Sequence, residues 1–399
     1  MLHGAVPSRL PPPMHSLLAA LLVVVAASAP RAQETEVPVT ALPFLGLPAV
    51  AEAGGATVGR TTDDPRAALQ NPAVAALAAR DAAVATGGAP VDAWFGESRY
   101  GVAASAWHLR RGALAASVVA SAGTMRGADR TLGDGTVYAP ADRFRGLSLA
   151  VGTTGDVRVA AGVTGRYVTS TDVPVWTGDA YETGAKRGAT FDGGVAASAN
   201  VAALAGRPMV AGLRPALDVT AGYAQTNVSG GIRYAGFGTQ ALPRLGALGW
   251  SATAGVDLPT RAGTLRLVEA EVARSAERLL VEEQGVTTRY AALIGGMPVG
   301  APLAGAGDAR TVGRAGLRLA VAETIAFSWG RFEGWGYAPS RITGWEVRTA
   351  GAARAVAGLT SSPVLDALAR TDLRVGRTTV WAGTENAETR TTLTLVIGR

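Results

Sequence analysis

The chain has 399 residues, a formal charge of +6, 52 Gly and no Cys. The missing cysteines exclude a disulfide framework, a Cys-ligated zinc and a thiol nucleophile. The basic residues are almost all Arg and are scattered, which argues against a nucleic-acid partner, since that needs a clustered basic stripe.

The first element is a targeting signal. Met14 to Gln33 reads "MHSLLAALLVVVAASAPRAQ", with Arg9 upstream, an apolar run and then small residues. That is the order of a secretory signal peptide. The apolar run is too short to cross a bilayer as a helix. Residues 1–32 are therefore expected to be a cleaved signal peptide that exports the chain. No later stretch reaches the roughly 18 apolar residues of a transmembrane helix.

Residues 33–90 read as an N-terminal extension. Within it, "TTDDPRAALQNPAVAALAARDA" predicts two short helices. Asp63 or Asp64 serves as N-cap and Pro65 as first helical residue. Asn71 and Pro72 repeat that arrangement, and Gly87 and Gly88 stop the second helix. The alanines make the piece narrow enough to approach a sheet closely or to sit in a barrel mouth.

From residue 91 to 399 the pattern has a period of two. "VRVAAGVTGRYV" places Val157, Val159, Ala161, Val163 and Tyr167 on one face and Arg158, Thr164 and Arg166 on the other. "GRAGLRLAV", "TIAFSWGRF" and "TTLTLVIGR" alternate likewise. About fourteen such segments follow one another, near 99–109, 112–123, 144–154, 157–170, 190–201, 213–224, 228–236, 247–258, 263–274, 286–294, 311–321, 323–332, 340–350, 371–381 and 388–398, one or two of them in excess. Residues 268–284 fit a helix equally well. Short turns alternate in several places with long loops, at 124–143 and 171–188.

A soluble sandwich or solenoid and a transmembrane barrel both use such strands. The export signal, the need to close so many strands without open edges and a second face rich in Gly, Ala, Ser, Thr and Arg favour the barrel. The fold class is then all-β: a transmembrane antiparallel β-barrel of about fourteen strands in the bacterial outer membrane, with outer-membrane lipid as partner. Trp94, Trp107, Trp250, Trp329, Trp345 and Trp381 stand at or near segment ends, where they would form interfacial girdles.

Chemistry is sparse. Beyond the signal only His108 remains, so no His-based metal site or triad is supported. Lys186 is followed by Arg187, not by a phosphate loop. Glu269, Glu271, Glu282 and Glu283, with Arg266, Arg274, Arg278 and Arg289, form either a calcium or cargo contact or a set of internal ion pairs. The reading is of a protein that is not an enzyme and has no cofactor, no metal and no catalytic residues.

"GGATVGRTTDDPRAALQNPAVAALA" (Gly54 to Ala78) resembles the N-terminal signature of the PorV/PorQ-like outer-membrane proteins, relatives of the fatty-acid channel FadL. The matching positions are Gly54, Gly55, Ala56, Asp64, Ala68, Asn71, Pro72, Ala73 and Leu77. Val74 stands where the family has Gly, Gln70 where it has an aromatic, and Arg399 where such barrels commonly end on an aromatic. The resemblance implies a plug carried by Asp64, Pro65, Asn71, Pro72, Ala73 and Leu77. It also implies an accessory or shuttle role in type IX secretion, with secreted cargo proteins and secretion-machine subunits as partners. Val173, Val175, Trp176, Met297, Val299 and Leu303 are the apolar loop residues that would meet cargo or ligand. The alternative is FadL-like uptake of a hydrophobic small molecule. An apolar pocket beside the plug would favour uptake, and apolar outer loops would favour protein binding.

Overall fold

The computed structural model describes residues 58–91, 98–127, 137–139, 141–171, 185–206, 211–234, 238–240, 244–261, 263–280, 311–334, 337–360, 362–382 and 386–398, with a few short stretches in the loops between them. Fourteen strands follow one another: β1 (Ala82–Val91), β2 (Ser98–Arg111), β3 (Leu114–Arg126), β4 (Ala141–Thr153), β5 (Val157–Thr171), β6 (Ala185–Asn200), β7 (Arg214–Tyr234), β8 (Leu245–Thr260), β9 (Gly263–Leu279), β10 (Thr311–Val321), β11 (Ile325–Gly334), β12 (Tyr337–Arg348), β13 (Thr371–Ala382) and β14 (Asn386–Ile397). Each pairs antiparallel with the next, and β14 returns to β1 from Ala82↔Ile397 to Gly88↔Thr391. Closure leaves no strand edge unpaired, so all fourteen form one barrel. Each strand has 10 or more residues, long enough to cross a hydrocarbon layer when tilted.

The period-two pattern has become two faces. Outward stand Val84, Trp107, Leu149, Val159, Val219, Val272, Leu319, Phe327, Val347, Val375 and Leu395, all exposed. Inward stand Ala104, Ser117, Ser148, Thr164, Ser198, Thr220, Ser251, Thr378 and Thr394, all buried. A barrel that shows water its aliphatic side chains and hides its hydroxyls is inverted relative to a water-soluble domain. No described helix is long and apolar enough to cross a membrane.

One end of the barrel, here the lower, receives the chain into β1 and releases it from β14. Tight turns at 112–113, 154–156, 261–262 and 322–324 lie there, with the helices α1 (Val201–Leu204), α2 (Ala350–Leu359) and α3 (Pro363–Ala369). The upper end carries the connections at 92–97, 127–140, 172–184, 235–244 and 280–310, and two short ones at 335–336 and 383–385.

Several sequence expectations change. The choice left open for 268–284 falls to strand through Leu279, because both edges of 263–279 pair with β8 and β10. The segments at 213–224 and 228–236 are one strand, bent where Asn227 takes a positive φ of 55°. Within the segment at 286–294 the described residues are Thr287–Arg289, which pair with Glu282–Gln284 in a sheet separate from the barrel. The first barrel strand begins at Ala82, and Gly87 and Gly88 lie within it rather than ending a helix. Helices α2 and α3 were not anticipated.

Candidate functional site in the barrel lumen

Residues 58–81 enter the lumen instead of running along the outside. Pro65–Leu69 and Pro72–Leu77 are 3-10 turns rather than α-helices. Each begins with an acidic or amide cap followed by proline: Asp64 accepts from the Arg66 amide at 2.9 Å, and Asn71 from the Ala73 amide at 3.1 Å. The six residues between Pro65 and Pro72 leave no room for a longer first helix, and the second turn ends where Ala78 becomes extended.

The segment crosses the lumen and touches much of its wall. Thr61 meets Thr220 on β7 at 3.0 Å, and Arg60 pairs with Glu271 on β9 at 2.7 Å. Asp63 pairs with Arg374 on β13 at 3.1 Å. Arg66, only 2% exposed, is clamped by the Asp64 carboxylate through Nε and Nη2 and approaches the Thr86 carbonyl on β1. The Leu69 carbonyl accepts from Arg166 on β5 at 2.5 Å, and that guanidinium also pairs with Asp192 on β6 at 2.6 Å. The chain then descends. Ser117 donates to the Ala75 carbonyl at 2.9 Å, Arg158 to the Leu77 carbonyl at 2.9 Å, and Arg110 to the Ala78 carbonyl. Wall side chains thus satisfy carbonyls that a 3-10 turn leaves free.

Asn71 is the pivot. It is fully buried, and its amide donates to the Val58 carbonyl at 2.8 Å and the Val195 carbonyl at 3.1 Å. The wall admits it at Gly194 and Gly222, where a Cβ would collide with the Asn71 side chain. Around it Ala67, Ala68, Ala73, Val74, Ala75, Ala76 and Leu77 pack on Ala104, Ala106, Val119, Ala150, Ala160 and Ala196. Small side chains on both sides bring backbone to backbone, and Leu77 and Val74 add roughly 1.5–3 kcal/mol each by burial.

The sequence-expected Asp64, Pro65, Asn71, Pro72, Ala73 and Leu77 therefore come together in the lumen. Val175 and Trp176 form a two-residue strand paired with Tyr181–Glu182. Val173, Met297, Val299 and Leu303 lie outside the described residues. Glu269 and Glu271 make ion pairs inside the barrel, with Arg318, Arg266 and Arg60. Among the described residues no group of acids or histidines is arranged to hold a metal. His108 bonds Ser117 at 2.5 Å near the lower end. Sequence reasoning placed Arg158 and Arg166 on the polar face but gave them no role, and it did not single out Asp192 or Arg374. Their signal is a charge at an inward position of a face otherwise built from Ala, Gly, Ser and Thr.

Below and beside the segment the lumen is charged. Arg318, Arg348 and Arg374 face Glu269, Glu346, Asp372 and Asp63. Arg318, Arg348, Arg374 and Glu346 line a cavity of about 40 Å³ together with Arg60, Thr62, Asp64 and Thr378. Above it two apolar clusters stand among buried polar side chains such as Ser170, Gln225, Arg244 and Thr311. Val102, Met125, Phe144 and Val168 cluster with Leu69 and Tyr100, and across the barrel Ile342 and Val380 pack with Phe332. Arg166 lies 5.9 Å from the Phe144 ring and Arg314 lies 5.2 Å from the Phe332 ring, marking the border between the two zones. Leu69, at the top of the lumenal segment, forms part of the floor of the apolar zone.

The class defined by fold and site is a closed fourteen-stranded antiparallel β-barrel with its N-terminal segment folded into the lumen. No family model matches the chain, and no curated protein resembles it in sequence. Among solved structures it is similar to the Ralstonia pickettii toluene transporter TbuX, with 10% identity and a TM-score of 0.39 over 86% of this chain and 95% of that one. It is similar to a Pseudomonas aeruginosa FadL homologue, with 10% identity and a TM-score of 0.39 over 92% and 100%. The translocator domain of the autotransporter NalP from Neisseria meningitidis follows, with 11% identity and a TM-score of 0.35 over 80% and 87%. These likenesses are distant, and the barrel is established by its own strand pairings.

Proposed function

We propose that the chain is a bacterial outer-membrane barrel, not an enzyme, that takes up an apolar small molecule through a lumen plugged by residues 58–81. The observation that carries this reading is the split interior. Val102, Met125, Phe144, Val168 and Leu69 form an apolar cluster on the inward face toward the upper end, above ion-paired groups. Apolar ligands settle in concave apolar sites with few polar groups. The upper end, with most of the long connections, would face the exterior, and the tight turns the periplasm. The outward aliphatic face would contact lipid, and the leading segment would be the export signal.

The plug would give way in part to let the ligand pass. Its contacts with the wall are hydrogen bonds to carbonyls, worth about 1 kcal/mol net from Ser117 and about 1.5–3 from each arginine, and two ion pairs. Release of one part of the segment at a time costs less than unfolding the barrel. The rival role, a PorV/PorQ-like shuttle of type IX secretion, draws its support from the apolar stretches 173–176 and 294–305, of which only Val175 and Trp176 are among the described residues. The apolar inward clusters favour uptake.

The test is to diffuse 1-bromonaphthalene into crystals of the detergent-purified protein and locate bromine by anomalous scattering. Uptake predicts a site between Val102, Phe144 and Val168. Bromine confined to the outer face would refute it.

A further inference from the structure

The outer face of β11, β12 and β13 departs from the aliphatic pattern of the rest. From the lower end upward, Ile325, Val347 and Val375 form an apolar row. The next row is Phe327, Trp345 and Arg377, then Trp329, Thr343 and Thr379, then Arg331, Arg341 and Trp381. Bulky rings beside threonines leave a groove. That groove is a cavity of about 390 Å³ on the outer wall, walled by Phe327, Trp329 and Trp345 and floored by Thr343 and Thr379, with Arg377 at its side.

Above the groove the charges stand in a disfavoured arrangement. Arg331 and Arg341 are directly opposite each other on adjacent strands, and both are exposed. Like charges so placed repel. Neither has an ion-pair partner among the described residues, and Glu333 is the one described acid on that part of the face. Trp381, 46% exposed, lies across from Arg341. Exposed Trp beside Arg marks the depth at which acyl chain gives way to headgroup. A second instance occurs on the opposite wall, where Arg145 faces exposed Tyr167 and Arg143 and Arg187 flank Thr169.

We propose that this groove is a seat for one lipid with a phosphorylated headgroup. An acyl chain lies between Trp329 and Trp345. The phosphate bridges Arg331, Arg341 and Arg377, removing their mutual repulsion through charge-assisted bonds. Guanidinium forks suit a phosphate better than ammonium groups do. The inference rests on the membrane reading above but not on the uptake role. It assigns a distinct task to the aromatic and basic residues of this wall.

The test reconstitutes the full chain into nanodiscs of phosphatidylcholine containing lipid A, then extracts it into mild detergent and counts retained lipid by native mass spectrometry. Wild type should keep one lipid A. Arg331→Gln/Arg341→Gln should lower retention roughly tenfold, while Arg214→Gln, at the lower end, should not. Free inorganic phosphate should not displace the lipid, because the chain seat would still hold it. Gel mobility of unboiled against boiled samples reports insertion separately. A barrel that never shifts overturns the membrane reading, whereas a shifted barrel with equal retention in wild type and double variant overturns the seat. Should the glutamine pair fail to insert, Trp329→Ala/Trp345→Ala removes the chain contacts instead. Retention unchanged in that variant also overturns the seat.

Discussion

Asp63 and Arg374 lie 311 positions apart in sequence and 3.1 Å apart in space. This ion pair ties the N-terminal segment to the next-to-last strand, and Asp372 holds the same guanidinium from its other side at 2.6 Å. Arg374→Gln leaves Asp63 with Arg80 alone, at 3.6 Å. Breaking a buried pair from one side costs about 3–5 kcal/mol, and Arg80 keeps the loss near the lower figure. Limited proteolysis of the detergent-solubilised variant should cut within residues 58–81 far faster than in wild type, while the barrel itself resists. Equal rates would mean that the pair does not hold the segment.

The same pair sets a pH response. Burial pushes the Asp63 carboxyl upward, but Arg374, Arg80 and the Ala79 amide outweigh it and hold the group below the ordinary carboxylate range. A carboxylate depressed in the folded state contributes stability that is fully present above its unfolded pKa of about 3.9 and is lost as pH falls through the folded value. Cleavage within 58–81 should stay constant from about pH 8 to 5 and rise only below about pH 4. A rise centred near neutral pH would assign control of the segment to another group.

Deleting residues 58–80 removes every wall contact described for the segment but leaves β1 intact. The expected product is an inserted barrel, still shifting on an unboiled gel, with a conductance in planar bilayers well above that of wild type. Failure to insert would give the segment a role in assembly rather than in closing the lumen.

Val375 faces outward between Val347 and Leu393, whereas Thr378 faces the lumen. Arginine on a lipid face near the midplane costs roughly 2–4 kcal/mol. Val375→Arg should therefore lower the unfolding midpoint in urea from lipid vesicles by that equivalent. Thr378→Ser should stay within about 0.5 kcal/mol. Similar losses for both would contradict an outward face in lipid.

Much of this fold is legible in the chain because a barrel strand has two different environments, and each leaves its mark every second residue. Leu317, Leu319 and Val321 against Arg314 and Arg318 already separate wall from lumen. The lumenal segment is legible too, since Asp64-Pro65 and Asn71-Pro72 each declare a turn start. What escaped has physical reasons. Residues 263–279 carry apolar side chains at spacings that suit helix and strand alike, and only the flanking strands decide. Helix α2 is built mostly from small residues with no long apolar stripe, and Arg354 pairs with Glu323 in a distant turn. The lumen charges Arg166 and Asp192 are 26 residues apart, and the register of β5 against β6 across the long loop between them brings them together.

The most direct test of the account is mass spectrometry of small molecules extracted from the protein purified in mild detergent, wild type beside Val102→Thr/Val168→Thr. Each threonine puts a hydroxyl into the apolar cluster at nearly constant volume and should weaken an apolar ligand bound there by about 1 kcal/mol, a few-fold in affinity. The account predicts an apolar small molecule at near-stoichiometric amount in wild type and clearly less in the double variant. Equal amounts in both, or secreted proteins in place of any small molecule, would contradict it.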